Sequence, residues 1–175
     1  METTRNKLPE KVERFFKELS EYLDTKILYY GSVQRLDYFE GKSDIDVDIF
    51  TENESSIINK LQHFLNVSKK KFKKVIWRLS QTNKVVYGHK IFYNSPSGDF
   101  KVEFAIYNEN DKKGILEQHL KKTILPFYAI WFLTVIKFLY YKMHFISHSY
   151  YIIMKRWILS FGIGLPNEDF VVLES

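Results

Sequence analysis

The sequence predicts an α+β fold: a mixed β-sheet flanked by helices, followed by a hydrophobic helical C-terminal segment. Three observations carry this. Stretches with apolar residues at helical spacing are interleaved with short stretches rich in β-branched and aromatic residues. Two of the strand-like stretches are joined by NSPSGD, a turn-forming cluster that reads as a hairpin. From Ile124 onward the chain is apolar and helical. The clearest shift in composition lies near residues 120–125, with no internal repeat and no Gly/Ser linker, so the chain divides into a core at 8–122 and a helical segment at 123–175 packed on it.

The elements follow in order. Pro9 suits a first helical turn, and Val12, Phe15, Phe16, Leu19, Tyr22 and Leu23 recur at i, i+3, i+4, i+7, which predicts a helix over 8–24. Lys26–Tyr30 is a short strand running into Gly31. Residues 33–43 are polar and turn-rich, and Ile45–Phe50 alternates acid with apolar, as a strand with one functional face does. A helix over 54–66 carries Ile57, Ile58, Leu61, Phe64 and Leu65 on one stripe. Strands are expected at 74–79, 84–93 and 100–107, and helices at 111–121, 126–146 and 148–160.

At 175 residues, with 45% hydrophobic and 27% charged residues, the chain can bury a real core and is not a disordered type. It has no cysteine, which excludes disulfides and Cys-based zinc sites. The polar start METTRNKLPEKVERF shows no apolar signal region, so an intracellular, cytoplasmic setting is the default expectation. Charge is uneven: residues 1–68 hold nine Lys/Arg against thirteen Asp/Glu, and residues 69–175 hold seventeen against eight. An acidic front half and a basic back half suit metal-binding acids facing a basic wall that attracts phosphates.

The chemistry concentrates in GSVQRLDYFEGKSDIDVDIF, residues 31–50. Asp44, Asp46 and Asp48 alternate along a strand and stack like charges on one face, where each weakens the next. A hard divalent cation with oxygen ligands answers that repulsion. Glu103, in FKVEFAIY, is an acid flanked by apolar anchors and can complete the set from a neighbouring strand; Asp99, at the turn end, is its competitor. Gly31 permits close backbone approach and Ser32 adds a hydroxyl, together a cradle for an anionic phosphate.

The Gly31-Ser32 step, the spacer, Gly41-x-Ser43-Asp44-Ile45-Asp46 and the later Glu103 resemble the DNA polymerase β-like nucleotidyltransferase superfamily over roughly residues 8–120. The resemblance implies a nucleotidyltransferase-like core in which Asp44, Asp46 and Glu103 are catalytic metal ligands for Mg²⁺ or Mn²⁺. It implies that Gly31 and Ser32 hold the phosphates of an NTP such as ATP. The implied reaction is transfer of an NMP to an acceptor hydroxyl with release of pyrophosphate, by a two-metal mechanism. Asp48 departs from the family pattern and leaves Asp46/Asp48 as an alternative pair; the Gly41-x-Ser43 lead-in selects Asp44/Asp46.

Other signals are weighed against this. The run Lys69–Lys74, followed by VIWR, could hold a nucleic-acid acceptor with Phe72 and Trp77 available for stacking, but a solvated loop before a strand is the preferred reading. On the basic second half of the chain, nucleic acid is favoured slightly over a protein or small-molecule acceptor. Lys137, His144 and His148 fall on one helical stripe, which is read as a basic stripe with Lys137 as a nucleotide-binding candidate rather than as a zinc pair. The uninterrupted apolar run Ile124–Ile136 is thirteen residues, short of the roughly 20 that span a bilayer, so a helix buried across the core is preferred to membrane association. The alternative to an enzyme is an inactive binding module of this fold, for nucleic acid, a protein partner or a membrane.

Overall fold

The computed structural model of the protein describes residues 1–160 and the strand Val171–Leu173. In chain order the strands are β1 (Ile27–Tyr30), β2 (Ile45–Thr51), β3 (Lys73–Arg78), β4 (Val85–Asn94), β5 (Lys101–Asn108) and β6 (Val171–Leu173). The helices are α1 (Glu10–Leu23), α2 (Glu54–Leu65), α3 (Lys112–Thr123), α4 (Phe127–Tyr141) and α5 (His148–Ser160). The strands form one mixed sheet in the order β1-β2-β5-β4-β3-β6. Among the described strands only β2 and β5 pair in parallel; the other neighbours are antiparallel. The predicted α+β class and mixed sheet are therefore what the chain forms. The short strand β6, on the edge beside β3, was not expected in the C-terminal segment.

Period-two alternation decides the two faces of the sheet. Ile45, Val47 and Ile49 of β2 and Val102, Phe104 and Ile106 of β5 all face α1 and α2 and are buried. Against them α1 buries Val12, Phe16, Leu19 and Leu23, and α2 buries Ile57, Ile58, Leu61 and Leu65. Burying each such side chain favours folding by about 1.5–3 kcal/mol, so this is the core that holds the sheet in register. The opposite face is only half covered. There α3 seals the far ends of the same strands over Phe50, Ala105 and Tyr107, and the near ends, with Asp46 and Glu103, stay open.

Helices α4 and α5 form a hairpin with a cluster of their own, built on Ala129, Leu133, Ile136, Tyr151 and Ile158, with Tyr140 stacked on Tyr151 at 4.6 Å. The expectation of a helix buried across the core is corrected here. Among the described residues only one stripe of α4 finds cover, while Phe127, Trp131, Phe132 and Phe138 are exposed, because a helix apolar on every side outstrips what one partner helix can bury. The expected helix over 126–146 also ends earlier, at Tyr141, and His144 takes a left-handed conformation in the following turn. Lys137, His144 and His148 therefore share no stripe: Lys137 is buried, His144 lies in the turn, and His148 opens α5 with its Nδ1 3.0 Å from the Tyr140 hydroxyl. Among the described residues no single helix is long and apolar enough to cross a membrane; α3 and α4 together have the length but are bent by 73°.

Candidate active site

The open end of the sheet is the floor of a cleft of about 880 Å³. Its floor is set by register. Tyr30 at the end of β1 pairs with Asp46, Asp46 with Glu103 on β5, and Glu103 with Phe92 on β4, so one row of residues crosses four strands on the open face. Asp44, just before β2, stands at the cleft mouth, and Gly31 and Ser32 form its wall where β1 turns into a 3-10 turn. Gly31, Ser32, Asp44, Asp46, Glu103 and Lys137, singled out from the sequence, all line this one cleft. Asp99 does not: it is exposed and paired with Lys11 at 2.5 Å.

Gly31 is required twice over. Its φ of +70° is a left-handed conformation, and a Cβ built there would lie 2.3 Å from Oδ2 of Asp46. The turn is thus pressed directly against the carboxylate. The Gly31 N–H donates to Thr123 Oγ1 at 3.2 Å, and that hydroxyl donates to the His119 carbonyl at 3.0 Å, which ties the turn to the end of α3. Ser32 Oγ donates to the Asp44 carbonyl at 3.5 Å and so links the two halves of the motif.

The electrostatics of the floor are those of crowded acids whose repulsion the nearby lysines offset only in part. Asp46 is pushed up to about 7, first by burial, then by the carboxylate of Glu103 and, more weakly, of Asp44; Lys155 and Lys90 pull it back only in part. Asp44 is raised as well, chiefly by loss of solvent inside the cleft, with Lys101 and Lys155 opposing. Glu103 accepts from the Lys90 ammonium at 2.5 Å, which occupies one side of its carboxylate. Among the described residues no three such groups are closed around a common point as a preformed metal site. The donor set nevertheless suits a hard divalent cation: oxygen ligands only, converging from one loop and two adjacent strands, and destabilised by their own repulsion.

A family profile described as "Nucleotidyltransferase domain" matches residues 9–145. The chain belongs to the nucleotidyltransferase domain family. A solved structure, the STING-associated CdnE c-di-GMP synthase from Capnocytophaga granulosa, is similar at 19% identity with a TM-score of 0.32; the match covers 86% of this chain and 50% of that one. The chain thus spans half the length of that structure. No curated protein matches the chain.

Asp48, the third acid of this nucleotidyltransferase-family strand, is not part of the cleft. It faces the same side as Asp46 but lies under α3, fully buried, with Oδ2 2.6 Å from Nδ1 of His119. The His119 ring stacks on Tyr30 at 4.0 Å and parallel to Trp77 at 5.7 Å. The alternation of three acids thus serves two purposes: an open group at 44 and 46, and a closed Asp–His pair at 48. Trp77 and Phe72, the candidates for stacking under the less favoured reading of the lysine run, are both buried and unavailable for that role.

A second feature escaped the sequence reading. Asp37, in the loop read as merely polar, is completely buried and accepts a two-pronged bond from Arg35 at 2.7 and 3.0 Å. Lys137 of α4 donates to the same carboxylate at 2.9 Å and to the Asp37 carbonyl at 2.8 Å. Burial alone raises Asp37, but Arg35 and Lys137 outweigh it and hold its carboxyl below the ordinary value; burial pulls Lys137 down, with Asp37 opposing. The lone lysine of an apolar helix was the one signal of such a partner. This pair pins the helical hairpin to the cleft wall. Asp37→Ala, which leaves two buried cations facing one another, is expected to cost about 3–5 kcal/mol and lower the melting temperature by roughly 10 °C, whereas Lys137→Met, which leaves Asp37 its Arg35 partner, costs clearly less. Equal losses in the two thermal melts would contradict the assignment of Asp37 as the centre of the network.

Proposed function

We propose that the protein is an enzyme that transfers an NMP from an NTP to an acceptor hydroxyl, releasing pyrophosphate. The observation that carries this reading is the row Asp46–Glu103 on the parallel pair β2 and β5, with Asp44 beside it and the Gly31 turn pressed against Asp46. Asp44, Asp46 and Glu103 would hold Mg²⁺ or Mn²⁺, one ion or two, and such a cation neutralises charge on the phosphates and acidifies a nearby hydroxyl. Gly31, whose own N–H is held by Thr123, would leave room for the terminal phosphates beside its turn, and Ser32 would turn its hydroxyl to them from its long bond to the Asp44 carbonyl. Arg35, Lys122 and Lys137 on the same wall supply positive charge against the single carboxylate of Asp37. Glu103, on the side of Asp46 away from the turn, would help to activate the acceptor hydroxyl and receive its proton. The cleft, at about 880 Å³, falls within the about 300–1,000 Å³ range of small-molecule sites.

Calorimetric titration with ATP, GTP, CTP and UTP, in Mg²⁺ and again in EDTA, tests the reading. At least one nucleotide is expected to bind ten times or more tightly with Mg²⁺, and Glu103→Gln is expected to shrink that difference. Nucleotide binding that ignores the cation, or none at all, would favour a binding module without chemistry.

A further inference from the structure

We propose that the part of the open face beyond Glu103 is the acceptor site, and that the acceptor is the end of a single-stranded nucleic acid. This rests on the nucleotidyl-transfer reading above. The inference starts from the order of groups across the sheet. The Gly31 turn follows β1; then come Asp46 on β2, Glu103 on β5, Phe92 and Lys90 on β4, and Lys73 at the start of β3, paired with Lys90. At about 4.8 Å per strand, the row from Tyr30 to Phe92 spans roughly 14 Å.

Phosphoryl transfer of this kind proceeds in line, with the entering and leaving oxygens on opposite sides of phosphorus. The bond from the acceptor oxygen to the α-phosphorus forms as the bond to the bridging oxygen breaks. Pyrophosphate leaves with that electron pair, and the hydroxyl proton passes to Glu103 and then to solvent. With pyrophosphate at the Gly31 turn, the hydroxyl has to arrive over Glu103, from the side of Phe92.

What stands on that side has the chemistry of a nucleic-acid surface. Phe92 lies opposite Glu103 in the middle of a ladder, lines the cleft, and is 65% exposed. Folding gains nothing from an open ring there, whereas a base can stack on it. Next to it stand Lys70, Lys71 and Lys73, all exposed and all lining the cleft. Lys90, paired with Glu103, and Lys155, which opposes the charges of Asp44 and Asp46, belong to the acids themselves; the other cleft cations form two groups, Arg35, Lys122 and Lys137 by the turn and these three lysines across the sheet. One triphosphate accounts for the first group. The second calls for another anion with several phosphates, and it repels a polycationic small-molecule acceptor.

The test is fluorescence anisotropy with 5′-fluorescein-labelled single-stranded 12-mers of RNA and DNA, without nucleotide, over 50–300 mM KCl. Binding is expected, for RNA, DNA or both. Phe92→Ala is expected to weaken it about tenfold and Phe92→Tyr to preserve it. The triple variant Lys70→Ala/Lys71→Ala/Lys73→Ala is expected to weaken it tenfold or more and to lower the log–log salt slope by about 2, at roughly 0.7 per phosphate contact. Calorimetric binding of Mg²⁺ and nucleotide should be unchanged in all three. No binding of either 12-mer, binding indifferent to these substitutions, or equal displacement by polyglutamate would overturn the acceptor assignment while leaving the transfer reading in place. Loss of nucleotide binding in the unaltered protein would sink the transfer reading itself.

Discussion

Asp46→Asn is expected to cut nucleotidyl transfer by at least about a thousandfold, some 4 kcal/mol of barrier, while making the cation-free protein more stable at pH 8. Both effects come from one carboxylate. In the folded chain Asp46 is pushed up to about 7 by burial and by Glu103, against an ordinary value of 3.8. Below about pH 4 the folded and unfolded chains both hold the proton. Between there and pH 7 the unfolded chain has released it and the folded one has not, so stability falls as pH rises, and the loss is complete by about pH 8. The ceiling from the shift is about 4 kcal/mol; a half-buried group in a solvent-filled cleft should show less, on the order of 2 kcal/mol. Thermal melts in EDTA at pH 5, 6, 7 and 8 should show this decline in the native chain and a flatter profile in Asp46→Asn. Added Mg²⁺ should restore the native chain at pH 8 and do little for the variant. Parallel profiles would mean that Asp46 carries no such burden.

Gly31→Ala is expected to lower transfer about a hundredfold and the melting temperature by about 5 °C. The left-handed backbone at this position costs an Ala about 1–2 kcal/mol, and each kcal/mol is worth about 2–4 °C in a chain of this size. The activity loss has a separate origin: the new methyl would fall 2.3 Å from Oδ2 of Asp46, so the carboxylate has to move off the floor. Gly98→Ala is the control, since Gly98 shares the positive φ, at +73°, but a methyl added there would meet no atom within 4 Å. That variant should lose stability alone. Equal loss of transfer in both variants, or in neither, would contradict the contact between turn and carboxylate.

The fold was largely legible because local period and long-range burial agree. The alternation in IDVDIF, the stripe of α1 and the turn in NSPSGD each satisfy a local preference and a packing demand at once. The residues of the cleft were legible for a similar reason: a strand that stacks acids violates ordinary patterning and so marks itself. What could not be read depends on partners distant in sequence. His119 comes to Asp48 across 71 positions and Lys137 to Asp37 across 100, and neither pairing leaves a local trace beyond a charge in an apolar setting. The same holds for β6, whose pairing with β3 is a matter of edge availability, and for Phe92. Its exposure is a property of the half-covered face and cannot be seen in the apolar alternation of β4. The hairpin of α4 and α5 was overestimated as core because hydrophobicity reports what a helix can bury, and how much it does bury depends on how many neighbours reach it.

The most direct measurement is transfer of label from α-³²P-labelled ATP, GTP, CTP and UTP in Mg²⁺ or Mn²⁺, with single-stranded RNA, single-stranded DNA, the protein itself and a small-molecule panel as acceptors. The expected result is label on a nucleic-acid end with the native chain, and none above background with Asp46→Asn or Glu103→Gln. Label that persists in both variants, or its absence from every acceptor when no nucleotide binds, would contradict the assignment of this cleft as a nucleotidyl-transfer site.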